Sequence, residues 1–319
     1  TSGDTGSAAI SALSNRKNIN LFVLHPHNKI SNIQRKIMTT IGGSNIYNIA
    51  IEGSFDDCQK IVKELFNDDN FRTKINMSGV NSINWARIVC QIVYYFYAYF
   101  KLEKNNVSFS VPTGNFGDIF AGYIAKKMGL PIDRLIVATN KNDILQRVIN
   151  TGEYKPDEVR PTITPSMDIQ VASNFERLLF YILNESDNNV SSLMNDLSSK
   201  GSFKLQKSDI EKIQNDFESV KITDEQTKNI IKDVYKKHQF IIDPHTATGF
   251  GALKKIEGLK DVIVLGTAHP YKFNETIKDV IGKNLETPSH LKIHDDKKEK
   301  FDIINNSSSK VKNYILNKI

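Results

Sequence analysis

Val107 to Gly129 reads VSFSVPTGNFGDIFAGYIAKKMG, and the fold turns on this stretch. Val107, Phe109 and Val111 alternate with Ser108 and Ser110 at the two-residue period of a strand, while Ile119 to Met128 carries apolar residues at helical spacing. Between them lies Pro112-Thr113-Gly114-Asn115-Phe116-Gly117-Asp118. A loop with glycines three apart, closing a strand and opening a helix, lets backbone N–H groups converge where the helix dipole is positive, which is the chemistry of a phosphate cradle. The same residues also suit an ordinary strand-to-helix turn, with Asp118 as a cap and the glycines serving only the turn.

Upstream, Thr1-Ser2-Gly3-Asp4-Thr5-Gly6 leads into the amphipathic start of a helix at Ser7. Hydroxyls at a helix N-terminus suit a small anion such as a carboxylate, although taken alone the stretch reads first as a simple capping cluster. Asn18 to Leu24 is an apolar strand ended by His25-Pro26-His27; Lys29 follows, and Ser31 caps a helix running through Ile41. Ile46 to Ile51 is a second strand, and Ser54 caps a helix to about Asn67. Strand and helix alternating at this pace predict a parallel α/β sheet with right-handed crossovers. Asn81-Ser82-Ile83-Asn84-Trp85-Ala86-Arg87 then heads a strongly apolar run, Ile88 to Phe100, read as a buried helix because it is too short for a typical membrane span. Arg87 either meets a ligand phosphate or carboxylate or pairs with a structural acid.

Downstream, Arg134 to Thr139 is a strand, Thr151 to Met167 is a proline-rich surface loop, and Phe175 to Lys237 reads as helical throughout with no strand. Within Phe240-Ile241-Ile242-Asp243-Pro244-His245-Thr246-Ala247-Thr248-Gly249 a short strand passes into the helix GFGALKKIEG. Asp261 to Leu265 is a β-branched strand ending in Gly266-Thr267-Ala268-His269-Pro270-Tyr271-Lys272-Phe273, and the charged tail ends in a helix. Strand ends converging on one edge are where α/β sheets bind ligands.

With 319 residues, 39% hydrophobic and 24% charged, the chain has the composition of a soluble globular protein of about two domains. The net charge of +6 is scattered among acids, with no basic run interleaved with aromatics, so neither a nucleic acid nor a membrane is expected as partner. Cys58 and Cys90, without CxxC spacing or an apparent signal peptide, point to the cytoplasm. No metal is expected.

TSGDTG at 1–6, HPHNKIS at 25–31, NSINWAR at 81–87, VPTGNFGD at 111–118, DPHTATGF at 243–250 and GTAHPYKF at 266–273, in this order, resemble the threonine synthases, a family of fold type II pyridoxal-phosphate enzymes. The resemblance implies an α/β fold of the tryptophan synthase β type, with parallel sheets, helices on both faces and a helical insert. It divides the chain into the remainder of a small α/β domain (1–80), a large cofactor-binding domain (81–150 and 238–286), the insert (151–237) and a tail helix (287–319). It implies that Gly114, Asn115, Phe116 and Gly117 cradle the phosphate of pyridoxal 5′-phosphate with Asp118 at the edge, and that Thr267 hydrogen-bonds the pyridine nitrogen. Thr1, Ser2, Asp4 and Thr5 are implied to hold the substrate α-carboxylate, and Lys29, Ser31, Asn81 and Arg87 its phosphate. The implied activity is that of a carbon–oxygen lyase acting on phosphate, which makes L-threonine from O-phospho-L-homoserine and water, as a monomer or homodimer.

The family's Schiff-base lysine lies in an FKD-type motif upstream of TSGDTG, and no FKD occurs in the sequence. The chain is therefore expected to be the C-terminal part of such an enzyme, inactive alone. The alternatives are a non-catalytic relative that only binds the cofactor, which the absent lysine keeps open, and another type II lyase such as a threonine dehydratase. NSINWAR and VPTGNFGD argue against the second. A nicotinamide enzyme is disfavoured because no GxGxxG follows the first strand.

Overall fold

A computed structural model describes residues 1, 3–81, 84–292 and 296–319, with Asp4, Phe55, Asp56 and His290 described by their backbone alone. The described strands are β1 (Leu21–Pro26), β2 (Ile46–Glu52), β3 (Val107–Pro112), β4 (Ile132–Thr139), β5 (Glu153–Tyr154), β6 (Phe203–Lys204), β7 (Phe217–Lys221), β8 (Val262–Val264) and β9 (Asp302–Asn305). The chain divides into two compact units, Thr1–Asn81 with Glu286–Ile319, and Ser82–Leu285.

In the first unit a parallel sheet has the order β1-β2-β9. Ile49, Ala50 and Ile51 at its centre are fully buried, as the middle strand of a two-sided parallel sheet requires. The stretch 287–319 is not a separate tail, as the sequence reading has it. β9 pairs with β2, and Val311 and Ile315, one helical turn apart on helix Ser308–Leu316, are buried in the same core as Leu65 and Phe71. Sequence patterning misses this because β9 is short and half polar, and its partner lies some 250 residues away in the chain.

The second unit is built on the parallel sheet β7-β4-β3-β8. β3 is buried along its whole length, serines included. Ser110 Oγ donates to Gly249 O at 2.8 Å, on helix Pro244–Ala252, which lies close on the sheet because its residues are small: a Cβ on Gly249 would stand 2.7 Å from Val264 Cγ1. That helix begins at Pro244 with Asp243 as its N-cap, and Phe240 to Asp243 forms no strand, both departures from the sequence reading. Phe175 to Lys237 is not all helix either. β7 extends the main sheet beside β4, with Glu218 paired to Arg134 at 2.5 Å, so 151–237 is no separate helical insert. An edge strand has one neighbour and needs only a short, half-polar sequence, and FESVK is too short to break the surrounding helical pattern.

Helix Trp85–Leu102 is half-buried rather than buried. Ile88, Ile92, Tyr95 and Tyr99 enter the core, whereas Val93, Tyr97 and Phe100 are each more than 60% exposed. Among the described residues no helix is long and apolar enough to cross a membrane.

Candidate active site

The cradle forms where β3 ends. Thr113 continues the sheet by one bond, its N–H donating to Ala138 O at 2.8 Å, and its hydroxyl turns back to Val111 O at 2.6 Å. The chain then reverses through Phe116, whose backbone is left-handed (φ 67°) and whose ring is fully buried against Phe175 and Phe217 at 5.3 and 5.6 Å. Helix Gly117–Lys127 starts there. Its first N–H, from Gly117, donates to Asn115 Oδ1 at 2.9 Å, so an oxygen already occupies the position that favours an anion.

Two glycines stand in close approach, Gly114 the tighter. A Cβ on Gly114 would lie 2.9 Å from Ser166 O, and one on Gly117 would lie 3.1 Å from Asn115 Oδ1 and 3.3 Å from Asn174 Nδ2. The wall opposite Gly114 belongs to Thr151–Met167, which is no plain surface loop: Thr164 and Met167 are buried. Asp168 holds it, accepting from Asn140 Nδ2 (2.7 Å), Asn142 Nδ2 (2.9 Å), and the hydroxyl (2.6 Å) and N–H (2.9 Å) of Thr162. Burial raises the Asp168 carboxyl above its usual range while these donors oppose the shift. From the other side Ser166 N–H donates to His245 Nε2 at 3.2 Å, and His245 packs on Phe273 with ring centroids 4.9 Å apart.

Asp118 is turned to Tyr95. Tyr95 Oη donates to its carbonyl (2.9 Å) and its carboxylate (3.3 Å), and desolvation pushes the carboxyl up to about 6 against that hydrogen bond. Thr267 is exposed, three residues beyond β8, with its N–H on Thr246 Oγ1 at 3.3 Å; Thr246 Oγ1 in turn donates to the buried Asp243. Because β8 pairs in parallel with β3, the Thr267 loop and the cradle leave neighbouring strands at the same edge. Arg87 is half-buried in the first turn of its helix, and the adjacent Ile88 would touch a Cβ on Gly117 at 3.4 Å.

In the first unit, Asp4 and Thr5 lie within helix Asp4–Leu13, which starts earlier than the sequence pattern suggests. Thr1 Oγ1 accepts from the N–H groups of Gly3 (3.1 Å) and Gly6 (3.0 Å), which leaves its own hydrogen to donate. Ser31 caps its helix, accepting from Gln34 N (3.2 Å) and donating to Gln34 Oε1 (3.0 Å), so its hydroxyl is committed locally. Gln34 joins this loop to the first one: a Cβ on Gly3 would lie 2.8 Å from its side chain. Lys29 and Asn81 are exposed, and Ser2 lies outside the described residues. Sequence reasoning missed Gln34, Asn140, Asp168 and Asn174; the amides carry no motif, and only their burial marks them. His245 stood in a quoted motif without a role.

A glycine-walled helix start, a buried amide aimed at it and a hydroxyl loop on the neighbouring strand fit a phosphorylated aromatic cofactor. A model for pyridoxal-phosphate dependent enzymes matches residues 1–192, and one for the threonine synthase C-terminal region matches 246–315. The fold is thus that of the pyridoxal-phosphate-dependent lyases, and pyridoxal 5′-phosphate is the cofactor. The chain is 46% identical to threonine synthase of Pseudomonas aeruginosa over 99% of its own length and 68% of that protein. It is 43% identical to threonine synthase of Saccharomyces cerevisiae over 92% of this chain and 64% of that one. The crystal structure of PLP-bound threonine synthase from Brucella melitensis superposes with a TM-score of 0.93 at 45% identity, covering 100% of this chain and 69% of that chain. The chain belongs to the threonine synthase family, and it spans about two thirds of the length of these relatives.

Proposed function

We propose that this chain carries the cofactor-phosphate and substrate-binding loops of an enzyme that converts O-phospho-L-homoserine and water to L-threonine and phosphate. The observation that carries the reading is the cradle at the β3 edge, where a Cβ on Gly114 would collide with the Ser166 carbonyl, one on Gly117 would crowd Asn115 and Asn174, and the helix start is already satisfied by an oxygen. In this reading Gly114, Asn115, Phe116 and Gly117 hold the cofactor phosphate through backbone N–H groups, Asn115 Oδ1 giving way to a phosphate oxygen. Asp118, turned to Tyr95, adds little repulsion while its carboxyl is protonated.

Bound pyridoxal phosphate supplies an electron sink for carbanions formed on the substrate. Thr267 offers the ring nitrogen a neutral hydroxyl, which does not hold a proton there as a carboxylate would. The Asp243–Thr246 pair beneath it fixes the loop through the Thr267 N–H. Thr1, Ser2, Asp4 and Thr5 bind the α-carboxylate through hydroxyls and the helix start. Lys29 and Arg87 offset the charge of the departing phosphate and Asn81 offers it a neutral hydrogen bond, with Ser31 in a capping role. The setting is the cytoplasm.

The test is phosphate and threonine release from O-phospho-L-homoserine with pyridoxal 5′-phosphate, measured on the chain alone and on the chain completed with the N-terminal third of a relative. Equal release of both products by the completed protein is expected; phosphate without threonine, or neither, overturns the reading.

A further inference from the structure

Asn174 stands at the N-cap of helix Phe175–Ile182, yet its side chain makes no capping bond. It is fully buried, its N–H donates to Asn115 O at 3.0 Å, and its Oδ1 accepts from Arg177 Nε at 3.1 Å. Its Nδ2 is buried without a partner among the described residues, 3.3 Å from where a Gly117 Cβ would stand. Arg177 can only donate, so it fixes which way the carboxamide lies: oxygen toward the guanidinium, nitrogen toward the cradle. The guanidinium is itself held over the Trp85 ring at 5.4 Å. A buried donor without an acceptor is costly, and such groups mark places where a ligand is awaited.

We propose that Asn174 Nδ2 is a side-chain donor to the cofactor phosphate, aimed by Arg177 and Trp85 and acting beside the backbone N–H groups of 114–117. The loop PTGNFGD contains no cation, and Arg177, one hydrogen bond away, polarises the amide and supplies the positive field the loop lacks. The inference rests on reading 114–117 as the cofactor cradle.

Asn174→Asp separates this role from a structural one. The carboxylate keeps the shape and pairs better with Arg177, so the fold is retained, but it meets the phosphate with like charge. The readout is quenching of Trp85, the single tryptophan, by pyridoxal 5′-phosphate and by pyridoxal, which lacks the phosphate. The variant is expected to lose roughly tenfold or more of its preference for pyridoxal 5′-phosphate over pyridoxal, the measure of one hydrogen bond to a charged group, with no fall in ligand-free melting temperature. An unchanged preference overturns the proposal. Should Asn174→Asp fail to fold, Arg177→Met lets the carboxamide turn over; a several-fold loss of the same preference supports the proposal and none overturns it. Native protein that pyridoxal 5′-phosphate does not quench refutes the cradle reading and this inference together, whereas native quenching with an indifferent variant refutes Asn174 alone.

Discussion

Phe116 shows how a single residue holds a binding loop in a backbone conformation it does not prefer. A bulky side chain at positive φ costs about 1 kcal/mol, and full burial of the ring against Phe175 and Phe217 more than offsets it. Beside it, Asp118 has a calculable pH signature. Its folded-state carboxyl titrates near 6 against an ordinary 3.8, because desolvation outweighs the Tyr95 bond, so the native state binds the proton more tightly than the unfolded state. The charge therefore costs nothing below pH 4 and destabilises increasingly as pH rises through 6. Asp118→Asn, which keeps an acceptor for Tyr95, is expected to be more stable than the native protein by about 3 kcal/mol at pH 7.5. The gap should close by pH 4, as read from urea unfolding at both values; a constant gap would show that Asp118 is not the titrating group.

Among the elements, the segment from Thr151 to Met167 departs most in character from its sequence. Its prolines and threonines have the composition of a surface loop, and yet it forms a wall of the cradle because the half-buried Asp168 carboxylate gathers Asn140, Asn142 and Thr162 around it. Asp168→Ala strands those donors in the interior and is expected to cost about 2–4 kcal/mol of unfolding free energy while weakening cofactor binding through the displaced Ser166 carbonyl. A urea titration alongside Trp85 quenching would check both effects; loss of binding without loss of stability would contradict the wall's structural role. β7 makes the same point from the other direction. FESVK is a sheet edge because β4 needs a neighbour, not because its own five residues insist on it.

Across the whole molecule, each compact unit holds one thiol. Cys58 is buried in the first unit, its thiol pushed up to about 11 by desolvation, and Cys90 is exposed in the second. Iodoacetamide at pH 8 should modify Cys90 within minutes and Cys58 only at the rate at which the first unit opens, resolved by mass spectrometry of the peptides. Equal rates would mean that the first unit is not closed around Cys58.

The features legible from residue order are local. The strand–loop–helix around PTGNFGD, the caps at Ser31 and Ser54, the alternation that makes a parallel sheet and the ordered motifs that mark the family are all written in neighbouring residues, where period and turn chemistry act. The remainder is non-local. The return of β9 to β2, the recruitment of β7, the pinning of 151–167 by Asp168 and the orphaned amide of Asn174 each depend on burial produced by distant chain. Burial is the property that turns an ordinary polar side chain into a committed one, and it belongs to no stretch of sequence.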